Sequence, residues 1–306
     1  IYQNLNLIYD ERPRYICVFG ADHIYRMDPR QMIEQHVALG AGITVAGIRV
    51  PIERAGEFGV IEADGDGRTI RAFREKPQDP VGMAESSGEV LASMGNYVFD
   101  VKTLIDVVTP AGEDSQHTDI GGDVIPALTK EGVAQVYDFS RNVVPGQVER
   151  ERGYWRDVGT LDSYFEANMD LIAPLPVFNL YNERWPVFSN HPPLPPAKIV
   201  RGAHGEPAFV DGSLLCQGAI VSGGHVERSI VGPECLVDHD AHVVDAILFP
   251  GVTVGPGARL RRCIVDKNVV VPPGYRIGVD IEEDLARFTV SEGGVVVVEK
   301  GRDLTR

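Results

Sequence analysis

The chain has 306 residues, of which 43% are hydrophobic and 24% charged, and it carries a formal net charge of −15. That length accommodates two domains or one large one, and the composition excludes disordered and fibrous classes. The acidic balance argues against a nucleic-acid partner, which needs a cationic face, and no apolar run approaches a membrane span.

Residues 1 to 173 alternate between strand and helix patterns. "YICVFG" (15–20) reads as a strand that ends in a Gly20-Ala21 turn and then presents Asp22. "MDPRQMIEQHVALG" (27–40) is amphipathic, with Met32, Ile33, His36, Val37 and Leu39 near one side and Gly40 closing it. "GITVAGIRV" (42–50) is the next strand. "GVIEADGDGRTIRAFREK" (59–76) is a hairpin about the "DGDG" turn. "LASMGNYVFD" (91–100) is a strand and "VKTLIDVV" (101–108) a helix. "GGDVIPALTKEG" and "YWRDVGTLDSYFEANMDLI" add further pieces, the latter mostly helical. Such alternation predicts an α/β domain built on a mainly parallel, Rossmann-like sheet, with ligands at the carboxyl ends of strands, where Asp22 stands.

Residues 174 to 200 contain seven prolines and little periodicity, which predicts an extended linker. Beyond it an apolar residue recurs at Leu214, Ile220, Val226; Val231, Val237, Val243; Leu248, Val254, Leu260; and Val265, Val271, Ile277. The spacing is six within each triplet and five between triplets, so each position returns every 17 residues. Three branched residues per turn are what fills a triangular parallel β-helix, here over 201–306. Cys17, Cys216, Cys235 and Cys263 lie far apart with no C-x-x-C pair, and no basic-then-apolar leader is present, as expected of a reduced cytoplasmic protein.

Several residues could carry chemistry. Asp22 at a strand end could hold Mg²⁺, or it could be a turn residue or helix cap. Asp157, in "YWRDVGT", could share that ion, or simply favour the start of the following helix. Lys76 could pair with a phosphate and Glu75 accept from sugar hydroxyls, although a solvated charged turn is the usual fate of Glu-Lys-Pro. Gly59 would let a ligand approach the backbone, and Ser93 sits on another strand.

Together these stretches carry more than each does alone. "GADHIYRMD", "FGVIEAD", "REKP", "LASMGNYVFD", "YWRDVGTLDSYFEANMDL", "LPPAKIV" and "LRRCIVDKNVVVPPG" resemble, in order and over essentially the whole chain, the bacterial glucose-1-phosphate adenylyltransferases. The resemblance implies a nucleotidyltransferase domain followed by a left-handed β-helix, and synthesis of ADP-glucose and pyrophosphate from ATP and glucose 1-phosphate for glycogen. It assigns Asp22 and Asp157 to the catalytic metal, Mg²⁺, and Lys76 to the substrate phosphate. Gly59, Glu75 and Ser93 then line the glucose pocket. It also implies regulation by sugar phosphates or nucleotides, with Lys267 and Lys300 at effector positions, and a homotetramer. Gly251 stands where some relatives carry an effector-contacting glutamate.

The family's glycine-rich phosphate loop has no counterpart in the chain, which begins in what reads as a later helix of the first domain. These 306 residues alone are therefore expected not to turn over ATP. Two other readings stand beside this one. One is an acyltransferase on a hexapeptide β-helix, with His225, His239 or His242 as base. The other is a non-catalytic regulatory subunit of the same family.

Overall fold

A computed structural model describes residues 1–109, 119–190 and 192–304. The chain divides into two compact units, Ile1–Trp155 and Arg156–Arg306. Among the described residues, no helix is long and apolar enough to cross a membrane.

The first unit runs α1 (Leu5–Glu11), β1 (Tyr15–Val18), β2 (His23–Tyr25), α2 (Pro29–Leu39), β3 (Ile43–Pro51), β4 (Gly59–Ala63), β5 (Ile70–Glu75), β6 (Glu89–Asp100), α3 (Val101–Val108), α4 (Ile125–Lys130) and β7 (Ala134–Asp138). The helix ends follow local chemistry. Asp28 caps α2 by accepting from Arg30 N at 3.1 Å, Pro29 occupies the first turn, and Gly40 closes it in the left-handed region at φ 60°. Asp100 likewise caps α3 by accepting from the backbone of Lys102 and Thr103. A π-helical turn, Ile120–Val124, leads into α4.

The sheet order is β5-β4-β6-β3-β7, with β1 also paired to β6. Here the expectation of a mainly parallel sheet fails. Among the described residues of this sheet only β3 with β7 is parallel; β1–β6, β3–β6, β4–β5 and β4–β6 are antiparallel. The cause is the 12-residue β6, which returns directly beside β3 and offers its other edge to β1 and to the hairpin β4–β5. Both sheet faces are covered, so β3 is a nearly continuous apolar run. Ile43 and Val45 join Phe99, Leu104, Ile125 and Leu128 in one core cluster. Ala46 and Ile48 join Met32, Met94, Val98 and Phe139 in another. Of the residues expected on the inner side of α2, Met32 and His36 are buried, whereas Val37 and Leu39 are exposed.

In the second unit, α5 (Leu161–Leu171) starts at a reciprocal cap between Thr160 and Ser163. Its Phe165 packs with Ile247, Ile264 and Val295, which places α5 in the second compact unit. Coiling begins at Lys198–Val200, inside the expected linker, where this strand pairs in parallel with Ile220–Ser222. The left-handed parallel β-helix then stacks Val226 on Val243, Leu260 and Ile277, and Val237 on Val254 and Val271. Ten of the twelve expected positions face inward. The exceptions are in the first coil, where Leu215 and Val221, not Leu214 and Ile220, stand over Val231 and Val237. The corner Gly223-Gly224 holds one residue fewer between inward positions than the corner at 238–242, so the repeat there is 16. Left-handed φ values recur at matching corners, as at Glu234, Gly251 and Asn268. Helix α6 (Ile281–Arg287) and strands Thr289–Val290 and Val296–Val298 follow the last coil.

Candidate functional site

In the first unit, β1 stops at Val18 and the chain turns before β2. Asp22 lies in that turn with its side chain 64% exposed and Oδ1 3.5 Å from His23 Nε2. No role is assigned to His23 from its pattern, yet its ring is closely housed. A Cβ at Gly20 or Gly95 would come within 2.7 Å or 2.8 Å of it, so both positions need glycine. The ring lies 5.1 Å from that of Trp155, which in turn meets Phe58 at 5.4 Å. Its buried Nδ1 has no hydrogen-bond partner among the described residues.

A second group gathers at the end of the β4–β5 hairpin. Gly59 and Glu75 are register partners. A side chain at Gly59 would overlap the Phe73 ring and approach Glu75 Oε2 to 2.9 Å. Lys76 adopts the left-handed conformation at φ 45°, and its N–H donates to Phe58 O at 3.0 Å. Partial desolvation pushes the Glu75 carboxyl above its ordinary range; Lys76 opposes that shift and Asp119 adds to it. Asp119 is a residue that periodicity could not have flagged. It accepts from Gly121 N and Gly122 N, and a Cβ on Gly121 would lie 2.8 Å from Glu75 Oε2. Ser93 joins through Tyr97, whose buried hydroxyl lies near it and feels the charges of Glu75 and Asp119. Gly59, Glu75, Lys76 and Ser93 thus fall in one neighbourhood with Tyr97 and Asp119. The arrangement offers a cation, carboxylates, a hydroxyl and a bare backbone, which suits a phosphorylated polyol.

In the second unit, Asp157 is half-buried at the end of strand Trp155–Asp157 and accepts from Gly159 N at 2.8 Å. Lys267 and Lys300, both exposed, follow the register-paired ends Val265 and Val298 of neighbouring strands, so one corner of the β-helix carries both. His225 is stacked between Phe209 and His242, at 4.6 and 5.2 Å, and contacts Glu227.

The model for nucleotidyl transferases matches residues 1–173, and that for GlmU-like C-terminal hexapeptide regions matches 195–298. A glucose-1-phosphate adenylyltransferase of Frankia casuarinae is 54% identical over 304 residues, covering 98% of this chain and 74% of the relative. Those of Parafrankia sp. and Corynebacterium jeikeium are 52% and 50% identical, with 98% of this chain covered in each case and 74% and 73% of the relative. The chain belongs to the glucose-1-phosphate adenylyltransferase family. The conjunction of a nucleotidyl transferase region with a hexapeptide β-helix in one glucose-1-phosphate adenylyltransferase chain accounts for both compact units. It leaves an acyltransferase reading of His225, His239 and His242 with no support beyond their place in the repeats.

Proposed function

We propose that the chain supplies the glucose 1-phosphate site and the metal-binding aspartates of an enzyme that forms ADP-glucose and pyrophosphate from ATP and glucose 1-phosphate, for glycogen synthesis. The observation that carries this is the clustering of Gly59, Glu75, Lys76 and Ser93, four separate sequence expectations, about one hairpin end in a member of this family. Lys76 binds the sugar phosphate as a point charge. Glu75 and Ser93 accept from and donate to the glucose hydroxyls, and Gly59 gives the ring room. The phosphate oxygen attacks the α-phosphorus of ATP, and pyrophosphate leaves. No covalent intermediate with the protein is needed, so alignment and charge neutralisation carry the rate.

Nucleotidyl transfer uses a divalent cation, and we assign Mg²⁺ to Asp22 and Asp157. Their carboxylates are the hard oxygen donors that Mg²⁺ prefers. Asp157 follows Trp155 by two residues, and Trp155 packs on His23, the neighbour of Asp22. Nε2 of His23 stands 3.5 Å from the Asp22 carboxylate, and its buried Nδ1 has no hydrogen-bond partner among the described residues. When bound, the cation neutralises phosphate oxygens; the aspartates hold it and leave Lys76 to orient the sugar phosphate. Control by sugar phosphates or nucleotides acts through the corner bearing Lys267 and Lys300, in a homotetramer.

Two measurements test the reading. Glucose 1-phosphate binding by residues 1–306, followed calorimetrically, should weaken about tenfold in Lys76→Gln, the loss of one phosphate contact. In the native gene product, pyrophosphate release should need both substrates and fall at least 10³-fold in Asp22→Asn and in Asp157→Asn, while Mn²⁺ binding read by paramagnetic resonance weakens in both. Unchanged Mn²⁺ binding in both variants would refute the metal assignment.

A further inference from the structure

Away from these groups, the start of the β-helix gathers a set of nitrogen and oxygen donors with no part in the chemistry above. Glu206, His239 and Asp240 each present a ligand atom within 4.8 Å of the other two. Two atoms bound to one Zn²⁺ at 2.0–2.2 Å are at most about 4.4 Å apart, so small side-chain rotations close the set. The imidazole of His204 stands next to it, its ring 6.0 Å from that of His239.

The donors come from two segments. Glu206 and His204 belong to the loop between strands Lys198–Val200 and Phe209–Asp211; His239 and Asp240 form a corner of the next coil. The loop is internally braced: Gly202 N donates to Glu206 O at 2.9 Å, Gly205 N to Gly202 O at 3.0 Å, and Arg201 to Gly205 O at 2.9 Å. The Glu206 carboxylate is aimed by His204 N–H at 3.1 Å and folds across Gly202, where any Cβ would overlap it. Asp240 is held in the left-handed region at φ 57°, an unusual conformation for a residue with a side chain, and His239 Nδ1 lies 3.2 Å from its carboxylate.

We propose that Glu206, His239 and Asp240, with His204 as fourth donor, bind a borderline divalent cation of the Zn²⁺ class. Two imidazoles with two carboxylates match that ion's ligand preference, whereas Mg²⁺ takes oxygen and water. The ion ties the loop at 201–206 to the corner of the following coil and clamps the first coil of the β-helix.

The test uses metal-stripped protein in excess Mg²⁺, which fills oxygen-only sites. Zn²⁺ is titrated against a chromophoric chelator, and Co²⁺ is used as an optical probe. One Zn²⁺ equivalent should bind at least tenfold more weakly in His239→Ala and in Glu206→Gln. The visible Co²⁺ band of a four-coordinate site should disappear in His239→Ala and change in His204→Ala. The Zn²⁺-dependent rise in unfolding temperature should vanish with them. Circular dichroism in Mg²⁺ alone checks that each variant is folded, and Glu206→Gln serves if His239→Ala is not. The same Zn²⁺ affinity and Co²⁺ spectrum in the wild type and in every folded variant would overturn the proposal, as would no Zn²⁺ binding by the wild type.

Discussion

Replacing Val221 by Thr separates the observed register of the first coil from the one expected by strict 17-residue spacing. Val221 is fully buried, stacked on Val237, and faces a ladder of hydrocarbon at Val237, Val254 and Val271. Threonine has the same shape, so no cavity opens; the cost is a hydroxyl taken from water into a dry interior, about 1–3 kcal/mol. For a unit of this size that corresponds to a fall of roughly 2–12 °C in unfolding temperature at about 2–4 °C per kcal/mol. Ile220→Thr is the control: Ile220 is 36% exposed and points outward, so its replacement should cost under about 1 kcal/mol. Both variants are measured by calorimetry and by urea unfolding of the same protein. Equal losses, or a larger loss for Ile220→Thr, would refute the register and the 16-residue first coil with it.

Three further outcomes follow from the same structure. His36 is buried with Nδ1 2.9 Å from Thr44 Oγ1, and burial holds its pKa below the ordinary value, Asp100 opposing. Because the folded value is depressed, the stabilisation is complete above the unfolded value of about 6.5 and is lost as pH falls through the folded value. Urea unfolding in steps from pH 7.5 down to 4.5 should therefore show stability declining over that range, with a shallower decline in His36→Gln. At Gly278 a Cβ would overlap the Arg261 carbonyl and φ is 72°, so Gly278→Ala should cost more than about 2 kcal/mol in urea unfolding. A cost below 0.5 kcal/mol would contradict that close approach. Arg228 makes a bidentate pair with Asp245, its Nε and Nη2 at 2.7 and 3.0 Å, but the pair is partly exposed. Asp245→Asn should therefore cost under about 1 kcal/mol, less still at 1 M salt, and a cost that salt leaves unchanged would show the pair to be better shielded.

What the sequence determined by itself was mostly local and repetitive. Helices α2 and α3 were legible because Asp28, Gly40 and Asp100 act on neighbouring backbone groups. The β-helix was legible because a steric requirement returns once per coil and writes itself as a period; Val231, Val243, Leu260 and Ile277 needed no tertiary information. Tertiary structure decided whatever depends on which distant segment lies alongside. Strand direction is one such matter: the pattern of β6 reads the same whether it runs with or against β3, and only its return beside β3 made the pairing antiparallel. The first coil is another, since shortening one glycine corner by a residue turned Val221 inward and Ile220 outward, alternation being two residues long. The neighbourhoods of His23 and Asp119 follow suit. Packing against Trp155, or charge felt by Glu75, comes from residues far along the chain, which no spacing within their own segments records.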